Sequence, residues 1–225
     1  MIKFAPEGYP FILVSLLVSV IASVFLLWSL KSGSTALYYS SLLVACFFIG
    51  LTLFMAFFFR DPARKVPSGE GLFVSPADGK VILIKDVYEN DYLKSEAKEI
   101  SIFMSPLDVH INRAPCEGKV ILVKHSPGKF LAAYKDESSM KNENIVMLLD
   151  GESGKVLVRQ VAGFLARRGV CRVGVGDVLG RGERYGMIKF GSRLDVYLPR
   201  DAEVAVKLGD KVKAGETVIA RNRES

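Results

Sequence analysis

Two long runs without a charged side chain, Phe11 to Leu30 and Ala36 to Phe59, constrain this chain more than any other feature. At about 1.5 Å per helical residue, a run of about twenty residues reaches across the roughly 30 Å hydrocarbon core of a bilayer. Both runs exceed what a buried helix of a soluble domain needs, and the short connection Lys31 to Thr35 folds them into a hairpin. Trp28, Tyr38 and Tyr39 flank the bend, where amphipathic rings favour the membrane interface. Lys3, Arg60, Arg64 and Lys65 stand at the open end of the hairpin against Lys31 at the bend. The positive-inside bias therefore predicts both termini on the cytoplasmic side of the cell membrane. A cleaved signal peptide is the competing reading of the first run, but a second span follows it and no clear small-residue cleavage site is present.

Past Arg60 the chemistry changes. The first 59 residues hold only Lys3, Glu7 and Lys31 as charges, so nearly all of the formal net charge of +6 falls on residues 60 to 225. This contrast predicts a two-helix membrane anchor over residues 1–59 and a soluble domain over 60–225. Cys46, Cys116 and Cys171 have neither CxxC spacing nor an even count, which argues against a disulfide framework or zinc site and fits a reducing compartment. His110 and His125 are too few for most imidazole-based metal sites, so no metal is expected.

In the soluble part, apolar runs of four to seven residues alternate with Gly, Pro, Asp and Asn, a pattern of short strands. Strands are expected at Val81 to Ile84, Ile100 to Met104, Val120 to Val123, Ile145 to Leu149, Val156 to Val161, Met187 to Phe190, Leu194 to Leu198 and Val218 to Ala220. The fold class is mainly β, a sandwich or barrel of short strands behind the amino-terminal transmembrane hairpin. Helical turns are expected only at Phe130 to Tyr134 and Phe164 to Arg168. Asp78-Gly79-Lys80-Val81 recurs as Glu117-Gly118-Lys119-Val120 and, more weakly, as Ser153-Gly154-Lys155-Val156; each reads as a turn feeding a strand, by internal duplication or by shared turn chemistry. Gly209 to Val218 resembles the turn-rich hairpin of biotinyl and lipoyl carrier folds. The carrier lysine between two methionines is missing, because Phe190 follows Met187-Ile188-Lys189.

Several motifs then appear in order: Phe59-Arg60-Asp61-Pro62 with Val66-Pro67, Ser75-Pro76-Ala77-Asp78-Gly79, Ser105-Pro106-Leu107-Asp108-Val109-His110, Pro127-Gly128-Lys129-Phe130, Asn142-Glu143-Asn144, and Phe190-Gly191-Ser192. As an ordered set they resemble the short form of phosphatidylserine decarboxylases. The resemblance runs from about Phe59 to Ala220. It implies decarboxylation of phosphatidylserine to phosphatidylethanolamine by a covalent pyruvoyl (pyruvate) group made from Ser192, after autocatalytic serinolysis at Gly191-Ser192. It casts Ser192, Gly191, His110 and Asp78 as catalytic. Chemically, Ser192 Oγ would attack a carbonyl left unshielded by the glycine, with Asp78 and His110 as orienter and base. His110 would also suit the protonation step of decarboxylation.

Taken one at a time, these residues have ordinary readings. Gly-Ser and Asp-Gly are common turn pairs, His110 fits a satisfied strand histidine, and His125 reads as a loop residue. Arg167 and Arg168 match the anionic groups of a lipid head by guanidinium geometry, or form a solvated pair. Two positions depart from the family pattern. Arg113 stands where better-known members have a second histidine associated with self-cleavage, and it is assigned to substrate binding, to holding Asp78, or to the oxyanion. Arg193 replaces the small hydroxyl residue usual after the cleaved serine. The expected partners are an anionic phospholipid, the membrane and the chain's own fragment 192–225, with no nucleic acid and a homo-oligomer left open. An archaeal ether-lipid substrate and a non-enzymatic membrane adaptor are the alternatives.

Overall fold

The computed structural model describes residues 3–128, 142–163, 169–189 and 192–222, and the chain divides between Pro62 and Ala63 into two compact units. In the first unit, helix α1 (Tyr9–Ser29) packs on helix α2 (Thr35–Phe58). Both are long and apolar enough to cross a membrane. Small side chains let the two backbones approach, and Ser15, Ser19, Ser29, Ser41 and Ala45 are buried, as is the larger Phe58 at the end of α2. Ser29 Oγ lies 2.9 Å from Ser41 Oγ, while the Ser19 and Ser29 hydroxyls also donate to the Leu16 and Leu26 carbonyls, so these polar groups are satisfied within the pair. Leu13, Leu27, Leu43, Phe47 and Leu53 are 60–73 % exposed. Apolar surface that broad is unfavourable in water and suits membrane association.

Among its described residues the second unit contains fourteen strands: β1 (Leu72–Val74), β2 (Gly79–Glu89), β3 (Ser95–Met104), β4 (Ile111–Arg113), β5 (Gly118–Ser126), β6 (Asn144–Gly151), β7 (Gly154–Ala162), β8 (Gly169–Cys171), β9 (Val178–Leu179), β10 (Arg184–Ile188), β11 (Ser192–Pro199), β12 (Glu203–Val204), β13 (Lys211–Val212) and β14 (Val218–Arg221). Eight of them form one sheet in the order β13-β2-β3-β11-β7-β6-β5-β9, and two three-stranded sheets run β1-β14-β12 and β4-β10-β8. The large sheet curls into a half-barrel, so the mainly β expectation holds. Strand β11 lies at its centre, antiparallel to β3 and β7. Alternation sends Leu194, Val196 and Leu198 into the main core with Ile100, Ile102 and Val158, whereas Tyr197 packs with Ala97 and Leu157 on the other face.

Within the described residues the expected strands fall in β-structure except at Lys189, which follows the end of β10 at Ile188; Phe190 lies outside the described residues, as do the helical turns expected at 130–134 and 164–168. Strand length differs from expectation. Strand β2 spans 11 residues and β3 spans 10, because the ladder continues after the apolar run ends. There Lys85 pairs with Glu99 and Asp86 with Lys98 across the strands, which supplies the cross-strand attraction that apolar side chains supply elsewhere. Gly79, Gly118 and Gly154 each open a strand, as their repeated turn chemistry suggested. His125, expected in a loop, belongs to β5 and lies 3.0 Å from Glu143. The carrier-like hairpin is also corrected: β13 pairs with β2 and β14 with β1 and β12, so the two strands enter different sheets. Backbone groups between them turn to Ser75 instead, with Gly215 N donating to Ser75 O and Ser75 N to Thr217 O.

Candidate active site

One end of the eight-stranded sheet gathers the sequence motifs. Reading across the ladder there, Val212 pairs with Gly79, Lys80 with Phe103, Met104 with Ser192, Ser192 with Ala162, Val161 with Asn144, and Asn144 with Ser126. The segment Ser75 to Gly79 therefore enters this end, and Ser105 to His110 leaves it. Pro127-Gly128 leaves it as well, Asn142 to Asn144 enters it, and Ser192 begins the central strand. The crossing at Gly79 needs glycine, since a Cβ there would lie 2.2 Å from the Phe103 carbonyl oxygen. By contrast, a cleft of about 550 Å³ lined by Ser95, Gly154 and Pro199 lies at the opposite end and holds none of the motif residues.

Ser192 is fully buried. Its hydroxyl donates to the Met104 sulfur at 3.4 Å, and Asn112 Nδ2 approaches the same sulfur at 3.8 Å. Gln160 Nε2 donates to Asn112 Oδ1 at 2.8 Å, which links β4 to the central strands. Beside Ser192 in the ladder, the Ala162 carbonyl accepts from Asn142 Nδ2 at 2.7 Å.

His110, buried at the start of β4, has Nδ1 2.9 Å from the Asp108 carbonyl oxygen. A carbonyl only accepts, so Nδ1 carries the hydrogen and the neutral ring keeps its lone pair on Nε2. Asp78 is held elsewhere. Arg64 Nη2 reaches its two carboxylate oxygens at 2.9 and 2.7 Å, and Ala214 N donates to Oδ1 at 2.8 Å. Burial pushes the Asp78 carboxyl above its usual range; the Ala214 N–H and the Arg64 charge pull it back, while nearby Asp108 pushes it up again. The orienting bond to His110 thus comes from the Asp108 main chain, and Asp78 forms its bonds with Arg64 and Ala214.

Arg113 is buried with Nη1 donating to the Gly182 carbonyl at 2.9 Å, and its backbone N–H donates to Pro76 O at 2.9 Å. That backbone bond joins the histidine segment to the aspartate segment. Gly191, Arg167 and Arg168 lie outside the described residues. Burial raises both Cys116, to about 12, and Cys171, so neither thiol is a ready nucleophile. Sequence reasoning treated Arg64 as an orientation charge and passed over Met104, because nothing in local spacing ties either to residues 14 and 88 positions away.

A family model described as phosphatidylserine decarboxylase matches residues 51–220. The chain is 44% identical over 216 residues to a protein of Geotalea uraniireducens named phosphatidylserine decarboxylase proenzyme, covering 96% of this chain and 94% of that one. Proteins of the same name from Geobacter metallireducens and Pelobacter propionicus are 45% and 47% identical, again across 96% of this chain and 94% of theirs.

Proposed function

The chain belongs to the phosphatidylserine decarboxylase family and decarboxylates phosphatidylserine to phosphatidylethanolamine; we propose that it first cuts itself between Gly191 and Ser192, the serine becoming a pyruvoyl group. The observation that carries this reading is the convergence of the motif segments around Ser192 at one end of a single sheet.

Maturation begins when Ser192 Oγ attacks the Gly191 carbonyl carbon. The C–N bond breaks, the hydroxyl proton ends on the Ser192 nitrogen, and an ester joins the two halves. Removal of the Ser192 α-proton expels the Gly191 carboxylate and leaves a dehydroalanine, which water converts to the ketone with release of ammonia. These steps need a base, and with Arg113 in place of a second histidine that base is Asp78, kept anionic by Arg64 and Ala214. Arg113 is no substitute, since a guanidinium stays protonated.

The surroundings of Ser192 fit the conversion. Its hydroxyl is matched by a thioether, a weak acceptor, so a carbonyl at that position forfeits little hydrogen bonding, and β3 and β7 hold the backbone on both sides. The pyruvoyl carbonyl supplies an electron sink for departure of the substrate carboxylate as carbon dioxide. His110 then returns a proton to the carbon that lost it: with Nδ1 committed to Asp108, Nε2 is the nitrogen that carries it. Arg167 and Arg168 are assigned to the anionic head group, and the charge asymmetry of the two apolar segments supports assigning the domain to the cytoplasmic face of the cell membrane.

Intact-mass measurement of the purified membrane protein tests the proposal. Wild type should give chains of 191 and 34 residues, the shorter blocked by the ketone, and Ser192→Ala should stay at 225 residues and be inactive. An active wild type that remains one uncut chain rules the mechanism out.

A further inference from the structure

Strand alternation sends Ser192 to one face of β11 and Arg193 to the other. There the Arg193 side chain is 1% exposed. Its Nε donates to Asp195 Oδ1 at 2.5 Å, and its Nη2 donates to Ser101 Oγ at 2.8 Å and to Glu99 Oε1 at 3.3 Å. Lys85 Nζ reaches the other Glu99 oxygen at 3.3 Å. Burial alone would make the guanidinium easier to deprotonate, but Asp195 and Glu99 more than offset this and keep it charged. Buried charges of this kind carry a desolvation cost that apolar residues of similar volume avoid. Fold stability is therefore a poor account of why they are here.

Their distribution along the chain suggests a better one. Glu99 and Ser101 lie on β3, before the cut proposed above, whereas Arg193 and Asp195 lie after it. Cleavage turns Ser192 from an internal residue into a chain end, and chain ends fray. Resting on that cleavage, we infer that Arg193 is a positioning residue that clamps the new amino-terminal end of the short chain onto β3 through Glu99 and Ser101, keeping the group formed at Ser192 in register with Met104.

Before cleavage the covalent chain restrains this end, so the clamp matters chiefly afterwards. Amide hydrogen exchange of the peptide covering the start of β11 provides the test, run in the processed protein and in the uncut Ser192→Ala background. Arg193→Gln should speed exchange there about tenfold or more in processed protein, as expected for loss of charge-assisted bonds, and clearly less in the uncut background, where the covalent chain still restrains this end although Asp195 and Glu99 lose a buried partner. Ser101→Ala, which removes only a hydroxyl of the long chain, should act in the same direction more weakly. Arg193→Lys should recover part of the protection, and kcat should fall in Arg193→Gln with KM held. Equal acceleration in both backgrounds, or none in processed Ser101→Ala and Arg193→Gln, overturns the clamp. A wild type that never yields the short chain overturns the cleavage reading itself, and the clamp with it.

Discussion

At the residue scale, the proton chemistry proposed above depends on how the half-buried Asp78 is held. Asp78 is faced by Arg64, the Ala214 N–H and Asp108, with Glu216 on the far side of Arg64 at 3.6 Å. Removing the arginine takes away a lowering influence and leaves burial and Asp108, which both raise the carboxyl. Since the carboxylate works ionised, Arg64→Gln should move the acid limb of self-cleavage to higher pH. Cleavage near neutrality should slow about tenfold or more, within the range of general-base contributions, and recover as the pH is raised. Timed appearance of the short fragment across a pH series checks this; a slowing that is uniform in pH would remove Arg64 from any electrostatic role. Arg113, the other departure in the motif, is tied to the Gly182 carbonyl and so braces the turn before β10.

At the scale of strands, the critical crossing is Gly79 against β3. A methyl group at 2.2 Å from the Phe103 carbonyl oxygen cannot be accommodated, so Gly79→Ala must separate β2 from β3 at the end that supports Ser192. It should destabilise the fold by about 2 kcal/mol or more, as backbone clashes in packed sites do, and slow maturation, both readable from denaturant unfolding and fragment formation. Much of this architecture was legible in sequence, because Ile100 to Met104 and Leu194 to Leu198 are short runs of alternating apolar residues, each closely followed by a proline, Pro106 or Pro199. Strands of two or three residues such as β9, β12 and β13 were not, being too short to show a period. The motif order singled out Asp78, His110 and Ser192 as candidates but not the groups that lie beside them. Arg64 and Asp78 meet where two non-strand segments pack together, and Arg193 and Glu99 meet because β11 and β3 are neighbours; pairing across 94 positions leaves no local trace.

Taking the chain as a whole, the hairpin charges assign an orientation that protease protection can check. Both termini and the β unit should resist protease added outside intact cells, and digestion of the β unit from outside would reverse the topology while leaving the chemistry untouched. The path of the last strands has another consequence. Residues 192–222 supply β11 to the middle of the large sheet, β13 to its edge, and β12 and β14 to a second sheet. A cut at Ser192 therefore releases no exchangeable subunit: the two products interpenetrate like a nicked ring still threaded on itself. Held only by non-covalent contacts, they should still melt at lower temperature on dilution, as any two-chain assembly does, but with loss of the sheet and separation of the chains in one step. On the cleavage proposed above, each translated polypeptide would be armed once, and the number of working centres in a membrane would be set by synthesis rather than by any later mixing of parts.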